Sequence, residues 1–315
     1  MDQPLAIDGS AYELVVERGW GVNSLAEALE TDGLLDSNLP LKLYARINRV
    51  GVIQAGEYLL VPGETPNSLL KKLAAGEVLR YSVTFPEALT LGQWRAILAD
   101  ATKLKQTLAD RAAADIARYL GLGVENPEGW FAPDTYSYTA GDSDLAILKR
   151  AFEARREQLA RLWEQRQEEL PLADPYEALI LASIVDRETG VASERARIAG
   201  VFVARLRKNM LLQTDPTVIY GLGESFDGNL TRSHLQQDGP YNTYTRAGLP
   251  PTPIANPGVA ALEAVLHPQS GQALYFVGKG DGSHHFSATL DEHNRAVRKY
   301  QLEQRAKGYR SSPGG

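Results

Sequence analysis

The sequence predicts an α+β protein in two parts: a small strand–helix–helix–strand module over residues 1–80, then a mixed α+β domain over 81–308 built around one buried helix. Three observations carry this. At 315 residues with 43% apolar content, the chain can hold two parts and at least one sizeable core. Short strand and helix patterns alternate through the first part. From Ala178 to Val185 hardly a polar side chain occurs, the pattern of a helix buried on most sides. Residues 309–315 end in Ser-Ser-Pro-Gly-Gly and read as a disordered tail.

Taken in order, Tyr12 to Glu17 reads as a strand, Asn23-Ser24 opens an amphipathic helix through Leu29, and a second helical stretch covers Leu41 to Asn48. Gln54-Ala55-Gly56 turns the chain into a strand from Glu57 to Val61, closed by Pro62, and Ser68 to Ala75 forms a helix ending at Gly76. This order, with Gly56 three residues before Leu59, looks like a LysM module, a small glycan-binding fold; a generic α/β packing module is the other reading. Tyr81 to Pro86 begins the second part as a strand, followed by a helix from Thr90 to Leu98 and helices with solvated faces across 101–122. The charge runs Glu153–Arg161 and Glu164–Glu169 read as exposed helix surface. The segment Glu128-Gly129-Trp130-Phe131-Ala132-Pro133-Asp134-Thr135-Tyr136 gathers aromatics and acids in a Gly/Pro loop. It suits either a sugar-stacking surface or a buried corner that plugs the core.

The central helix is clearly punctuated, with Asp174 as N-cap, Pro175 at the first helical position, Glu177 at the third and Gly190 beyond its end. Glu188 follows Ile184 and Leu181 on one stripe. Asp186 lies roughly 200° around the helix from Glu188, so the two acids do not share a pocket. They are therefore not an acid–nucleophile pair of the retaining-glycosidase kind, whose carboxyls face each other at about 5 Å. A carboxyl at the carbonyl end of a buried helix has its proton affinity raised by both the helix dipole and burial, which suits a general acid. A structural hydrogen bond is the alternative at this level. Ser193 is expected to cap a second, amphipathic helix carrying Ile198, Val201, Phe202 and Leu206.

Composition excludes several classes. Net charge is −6 with the signs mixed, so no basic stripe exists for nucleic-acid phosphates, and nucleic acid is not an expected partner. The absence of cysteine removes disulfides, zinc–thiolate sites and thiol nucleophiles. No run approaches the eighteen or so apolar residues of a membrane span, and Met1-Asp2-Gln3-Pro4 does not start a signal peptide. His284, His285 and His293 lie near Asp281, but Ala273–Val277 and His284–Ser287 read as hairpin strands, which point the adjacent histidines to opposite faces. No metal or cofactor is expected, and at most one of the two adjacent histidines faces a cleft. Thr289 with Glu292 caps the last helix.

Beyond the central helix come proline-stiffened loops bearing hydrogen-bonding side chains. In order, Ala182–Thr189 (Ala-Ser-Ile-Val-Asp-Arg-Glu-Thr), Leu212–Gly221 (Leu-Gln-Thr-Asp-Pro-Thr-Val-Ile-Tyr-Gly), Tyr241–Tyr244 (Tyr-Asn-Thr-Tyr), Gly248–Gly258 and Gly282–Ser287 strongly resemble the YceG-like family, closely from about Glu128 to Tyr300 and more loosely throughout. The resemblance implies a bacterial cell-wall enzyme held in the inner membrane by one N-terminal helix, absent from this sequence, with its catalytic part in the periplasm. It implies a lytic transglycosylase acting inside peptidoglycan glycan strands, cleaving the β-1,4 bond from N-acetylmuramic acid to N-acetylglucosamine and leaving 1,6-anhydro ends. Peptidoglycan synthases of the penicillin-binding class are the protein partners it suggests. By motif position Glu188 is the catalytic acid and Thr189 orients it, while Gln213 and Asp215 stabilise the charged transition state; capping a turn before Pro216 is the other reading of Asp215. Asn242 and Tyr244 hydrogen-bond the sugars, and Thr214, Tyr220 and His284 complete the substrate-binding set. Many members carry glutamate where this chain has Asp186. A hydrolytic muramidase and a non-catalytic peptidoglycan-binding scaffold are the alternatives.

Overall fold

The strands described pair only two by two, so helices carry most of the core. In a computed structural model describing residues 1–48 and 52–303, the elements are β1 (Tyr12–Val16), α1 (Val22–Thr31), α2 (Leu39–Ile47), β2 (Gly56–Leu60), α3 (Pro66–Ala75), β3 (Tyr81–Thr84), α4 (Leu91–Asp100), α5 (Ala113–Tyr119), β4 (Thr135–Tyr138), α6 (Asp144–Glu164), α7 (Pro175–Glu188), α8 (Ala192–Arg207), α9 (Asp215–Leu222), α10 (Arg232–Gln236), α11 (Val259–Leu266), β5 (Tyr275–Gly278), β6 (His284–Ser287) and α12 (Leu290–Val297). Sheets among the described residues are the pairs β1–β2, β3–β4 and β5–β6. The protein is α+β, and the tail expected at 309–315 lies outside the described residues. No helix among them is long and apolar enough to cross a membrane.

The chain divides into two compact units, the first comprising Met1–Val83 with Ala101–Gln106 and Tyr136–Asp144. Here β1 and β2 pair antiparallel, Tyr12 opposite Leu60 and Val16 opposite Gly56. Alternation puts Leu14, Val16, Tyr58 and Leu60 inside, against Leu25 and Leu29 of α1, Leu41 of α2, and Leu69 and Leu73 of α3. Thr65 caps α3 by accepting from the Ser68 amide at 3.2 Å, and Gly76 ends it in the left-handed region. The stretches 101–106 and 136–144 also belong to this unit, although they follow residue 80 in sequence. Residues 101–112 form turns where solvated helices were expected, and the helix is confined to α5. The turn places Leu104 in the interior and Lys103 on Glu57 at 2.9 Å, so tertiary contacts override a composition that favours helix.

The second unit holds Thr84–Asp100, Thr107–Thr135 and Leu145 onward, and α7 runs through its core against α8 and α11. Asp174 accepts from the Glu177 amide at 3.0 Å, and the Glu177 carboxylate reaches back to the Ala173 amide at 2.6 Å. Every residue from Ala178 to Asp186 is buried. Each large apolar side chain among them contributes about 1.5–3 kcal/mol by leaving water. Because α8 starts at Ala192 with Val191 as N-cap, Ser193 sits inside its first turn and caps nothing.

Around Phe131 the Glu128–Tyr136 loop is a buried corner, with Trp130 and Tyr136 half-buried. Trp130 stacks on Tyr176 with centroids 5.7 Å apart, and Phe131 is fully enclosed. Gly129 permits the corner: its φ is +82°, and a Cβ there would come within 2.4 Å of Pro253. Arg155, inside the run read as exposed helix surface, is 0% exposed. Its guanidinium donates to the carbonyls of Phe131, at 3.2 Å, and Pro257, which bind the corner to the start of α11. In sequence its neighbours are so charged that one inward-facing arginine is masked.

Arg155→Ala should lower unfolding free energy by on the order of 3 kcal/mol, by stranding two buried carbonyls and opening a void, whereas Glu157→Ala on the exposed face should change it by less than about 0.5 kcal/mol. Urea unfolding of both variants checks this. Equal effects would overturn the role given to Arg155.

Candidate active site

Glu188 is the last residue of α7, where the buried helix meets the surface. Its side chain keeps some contact with solvent, but protein surrounds the carboxyl closely enough to penalise charge. Burial pushes its pKa up to about 7, and the negative charge of Asp215 adds to the rise. Opposing them are a hydrogen bond from the Thr214 hydroxyl to Oε1 and the positive charges of Arg205 and Arg187. The result is a carboxyl poised to give a proton near neutral pH.

Local backbone chemistry brings Thr214 to this position. Gln213 sits in the left-handed region at φ 49°, a conformation costing on the order of 1 kcal/mol outside glycine, and its amide donates to the Thr243 carbonyl at 3.0 Å. The next amide, of Thr214, donates to the Thr243 hydroxyl at 3.1 Å. Thr217 donates to the Thr214 carbonyl at 2.8 Å and lies 2.9 Å from the Thr243 hydroxyl. Three buried threonines thus lock the start of α9. Asp215 opens that helix, and its Oδ1 accepts from the Tyr244 hydroxyl at 2.6 Å. Burial, then Asp215, push the Tyr244 hydroxyl far up, so it remains a donor.

Glu188, Thr214, Asp215 and Tyr244 are therefore brought together, and Arg205 joins them. Sequence reasoning missed Arg205, which is buried and donates to the carbonyls of Leu274 at 2.7 Å, Leu212 at 2.7 Å and Leu211 at 3.2 Å. A signal existed, because Arg205 lies seven residues after Ile198 on the apolar stripe of α8.

Other expected site residues lie in different surroundings. The Thr189 hydroxyl accepts from the Val191 amide at 3.0 Å, within the turn from α7 to α8; the hydroxyl on Glu188 is that of Thr214. Gln213 is exposed. Asn242 donates to the carbonyls of His234, Leu235 and Gln237 at 3.1, 3.2 and 2.7 Å and accepts from the Tyr244 amide at 2.9 Å, so its amide holds the loop that presents Tyr244. His284 is buried, with Nδ1 on the Glu194 carboxylate at 2.7 Å, and this pair latches β6 to α8. The Tyr220 hydroxyl lies between Asn126 at 3.1 Å and Glu128 at 3.4 Å. Asp186 accepts from the Gly258 amide at 2.9 Å and faces Arg195 at 3.3 Å. Burial pushes its pKa up to about 6. Its partners differ from those of Glu188, as the helical angle between them requires.

Known proteins resemble this chain in sequence and fold. An endolytic murein transglycosylase of Bacillus subtilis strain 168 is 31% identical over 305 residues, covering 90% of this chain and 83% of the relative. An endolytic murein transglycosylase of Streptococcus pneumoniae serotype 2 is 26% identical over 337 residues, and this chain, 95% covered, spans 61% of that longer relative. A crystal structure described as that of a YceG-like protein from Listeria monocytogenes superposes with a TM-score of 0.55 at 28% identity, over 91% of this chain and 99% of that one. Residues 14–299 match the model of the YceG-like family, and the chain belongs to that family.

Proposed function

We propose that this protein is a peptidoglycan lytic transglycosylase that cuts within glycan strands, with Glu188 as acid and then base. The observation that carries this reading is the Glu188 carboxyl itself, buried at the end of α7, bonded by Thr214 and titrating near neutrality. In its protonated form Glu188 gives its proton to the glycosidic oxygen as the bond from the muramic acid C1 breaks. As carboxylate it then takes the proton of the C6 hydroxyl on that sugar, whose oxygen bonds to C1 and closes the 1,6-anhydro ring. No water enters, and the substrate supplies its own nucleophile. Asp215, held by Tyr244, offers negative charge to the oxocarbenium-like transition state. Asp215 also motivates a second reading, hydrolysis with this residue as base, because its charge acts directly on Glu188.

The antiparallel β1–β2 pair with α1 and α2 between its strands supports a LysM-like, glycan-binding reading of the first unit. Family membership supports a periplasmic workplace, a membrane anchor and contact with peptidoglycan synthases.

Digestion of purified sacculi by the full chain should give anhydro ends, and Glu188→Gln should lower their release by at least about 100-fold. Reducing ends would favour the muramidase, and strands left uncut by the unmodified chain would favour a binding scaffold. The active form is protonated, so kcat/KM should fall as pH rises through about 7. Thr214→Val removes an interaction that lowers the Glu188 pKa, so the alkaline limb should move to higher pH; a limb moving down would contradict the assignment.

Stability has the same sign. Burial raises Glu128 to about 7, Asp186 to about 6 and Glu188 to about 7. Each holds its proton more tightly folded than unfolded, so its contribution is full below the unfolded carboxyl range and lost as pH rises through 6–7. The melting temperature should fall between pH 5 and 8, and Glu188→Gln should make that fall shallower, as differential scanning fluorimetry across pH would register.

A further inference from the structure

A cleft of about 720 Å³ flanks α9, within the size range of small-molecule sites. Pro216, Ile219 and Tyr220 line it at successive turns of the helix whose N-cap, Thr214, bonds Glu188. Arg187, next to the acid in the chain, also lines it, with its guanidinium on the Ala88 carbonyl at 3.2 Å. Two stretches of the lining thus begin one and two residues from the Glu188–Thr214 pair.

The lining chemistry is that of a sugar site. Tyr220 and Tyr241 meet edge to face at 5.0 Å, and Phe226 adds a half-exposed ring. Glu128 is only 4% exposed. Its Oε1 accepts from the Leu91 amide at 2.9 Å and Asn256 at 3.3 Å, while Oε2 has a long bond of 3.4 Å from the Tyr220 hydroxyl. Asn126 donates to that hydroxyl at 3.1 Å, giving an ordered chain from amide to phenol to carboxyl. A pyranose presents apolar C–H faces to aromatic rings, and hydroxyl and acetamido groups at its edge to fixed polar groups. Anionic stem-peptide ends fit less well, since Glu128 and Glu224 in the lining are acidic.

We propose that this cleft is a subsite of the glycan groove, taking an N-acetylhexosamine residue beside the scissile bond, with Asn126 and the Tyr220 hydroxyl reading its polar edge and Phe226 covering its face. Glu128 is a positioning residue that aligns Tyr220. The assignment rests on the transglycosylase reading for its place in the strand, but not for the ligand chemistry.

The test uses the full chain carrying Glu188→Gln, so that nothing is cut, and calorimetric titration with chitotetraose. Adding Phe226→Ala or Tyr220→Phe should raise Kd by about fivefold or more, and fully deacetylated tetramer should bind more weakly than chitotetraose. Absence of binding by the parent, or a Kd within twofold of it in both variants, would overturn the subsite. Melting temperatures establish that the variants are folded, and Tyr220→Phe keeps the ring in place. In the cleaving background, anhydro ends with an unchanged KM in both variants would sink the subsite while leaving the reaction standing. Failure of the unmodified chain to make anhydro ends would remove the reaction, and the chitotetraose titration would still decide the cleft.

Discussion

Desolvation of the Glu188 carboxyl is the constraint on which the second unit depends. An ionised carboxylate away from water is costly, so the group keeps its proton to higher pH, and α7 must be stable enough to hold it there. Burial of nine consecutive residues from Ala178 to Asp186 offsets that cost. The two neighbouring helices, α8 and α11, supply the apolar surfaces against which those residues pack.

Two other buried acids show how Glu188 differs. Glu128 is bonded by the Leu91 amide, and Asp186 by the Gly258 amide. Backbone donors are fixed by the fold, so these acids tie segments together at the corner and at the start of α11. The bond to Glu188 comes instead from a side-chain hydroxyl, itself placed by the strained Gln213 and the three-threonine lock. Such a donor can follow the carboxyl as it gains and loses a proton, which a backbone amide in a packed turn does less readily.

Much of this was legible in the residues, because short-range signals have short-range causes. Asp174-Pro175 and Glu177 marked the start of α7, Gly76 the end of α3, and Thr289 with Glu292 the cap of α12. Helical angle alone separated Asp186 from Glu188. What failed depended on long-range packing. Arg155 sits among ordinary surface charges in sequence, and carbonyls as distant as that of Pro257 hold it inside; Arg205 lies on the apolar stripe of α8, but its bond to the distant Leu274 carbonyl has no local cue. Asn242 stood in a motif with Tyr244 and was grouped with it as a sugar contact, yet loop carbonyls occupy its amide. Thr189 is next to the acid in sequence, but α7 ends there and turns its hydroxyl to Val191. Twenty-six residues separate Thr214 from Glu188, and no local pattern links them.

A threonine hydroxyl has one hydrogen, and that of Thr214 lies on Oε1 of Glu188. With the Thr214 hydroxyl donating to Oε1, the labile hydrogen of the neutral acid is left to Oε2. The two oxygens of the carboxyl are thereby made inequivalent before any substrate arrives. In the proposed reaction, delivery of the hydrogen would be directional, from one edge of the group, and the strand would present its bridging oxygen to that edge. The orientation of a single O–H bond would thus constrain how a strand lies across the acid in the proposed reaction.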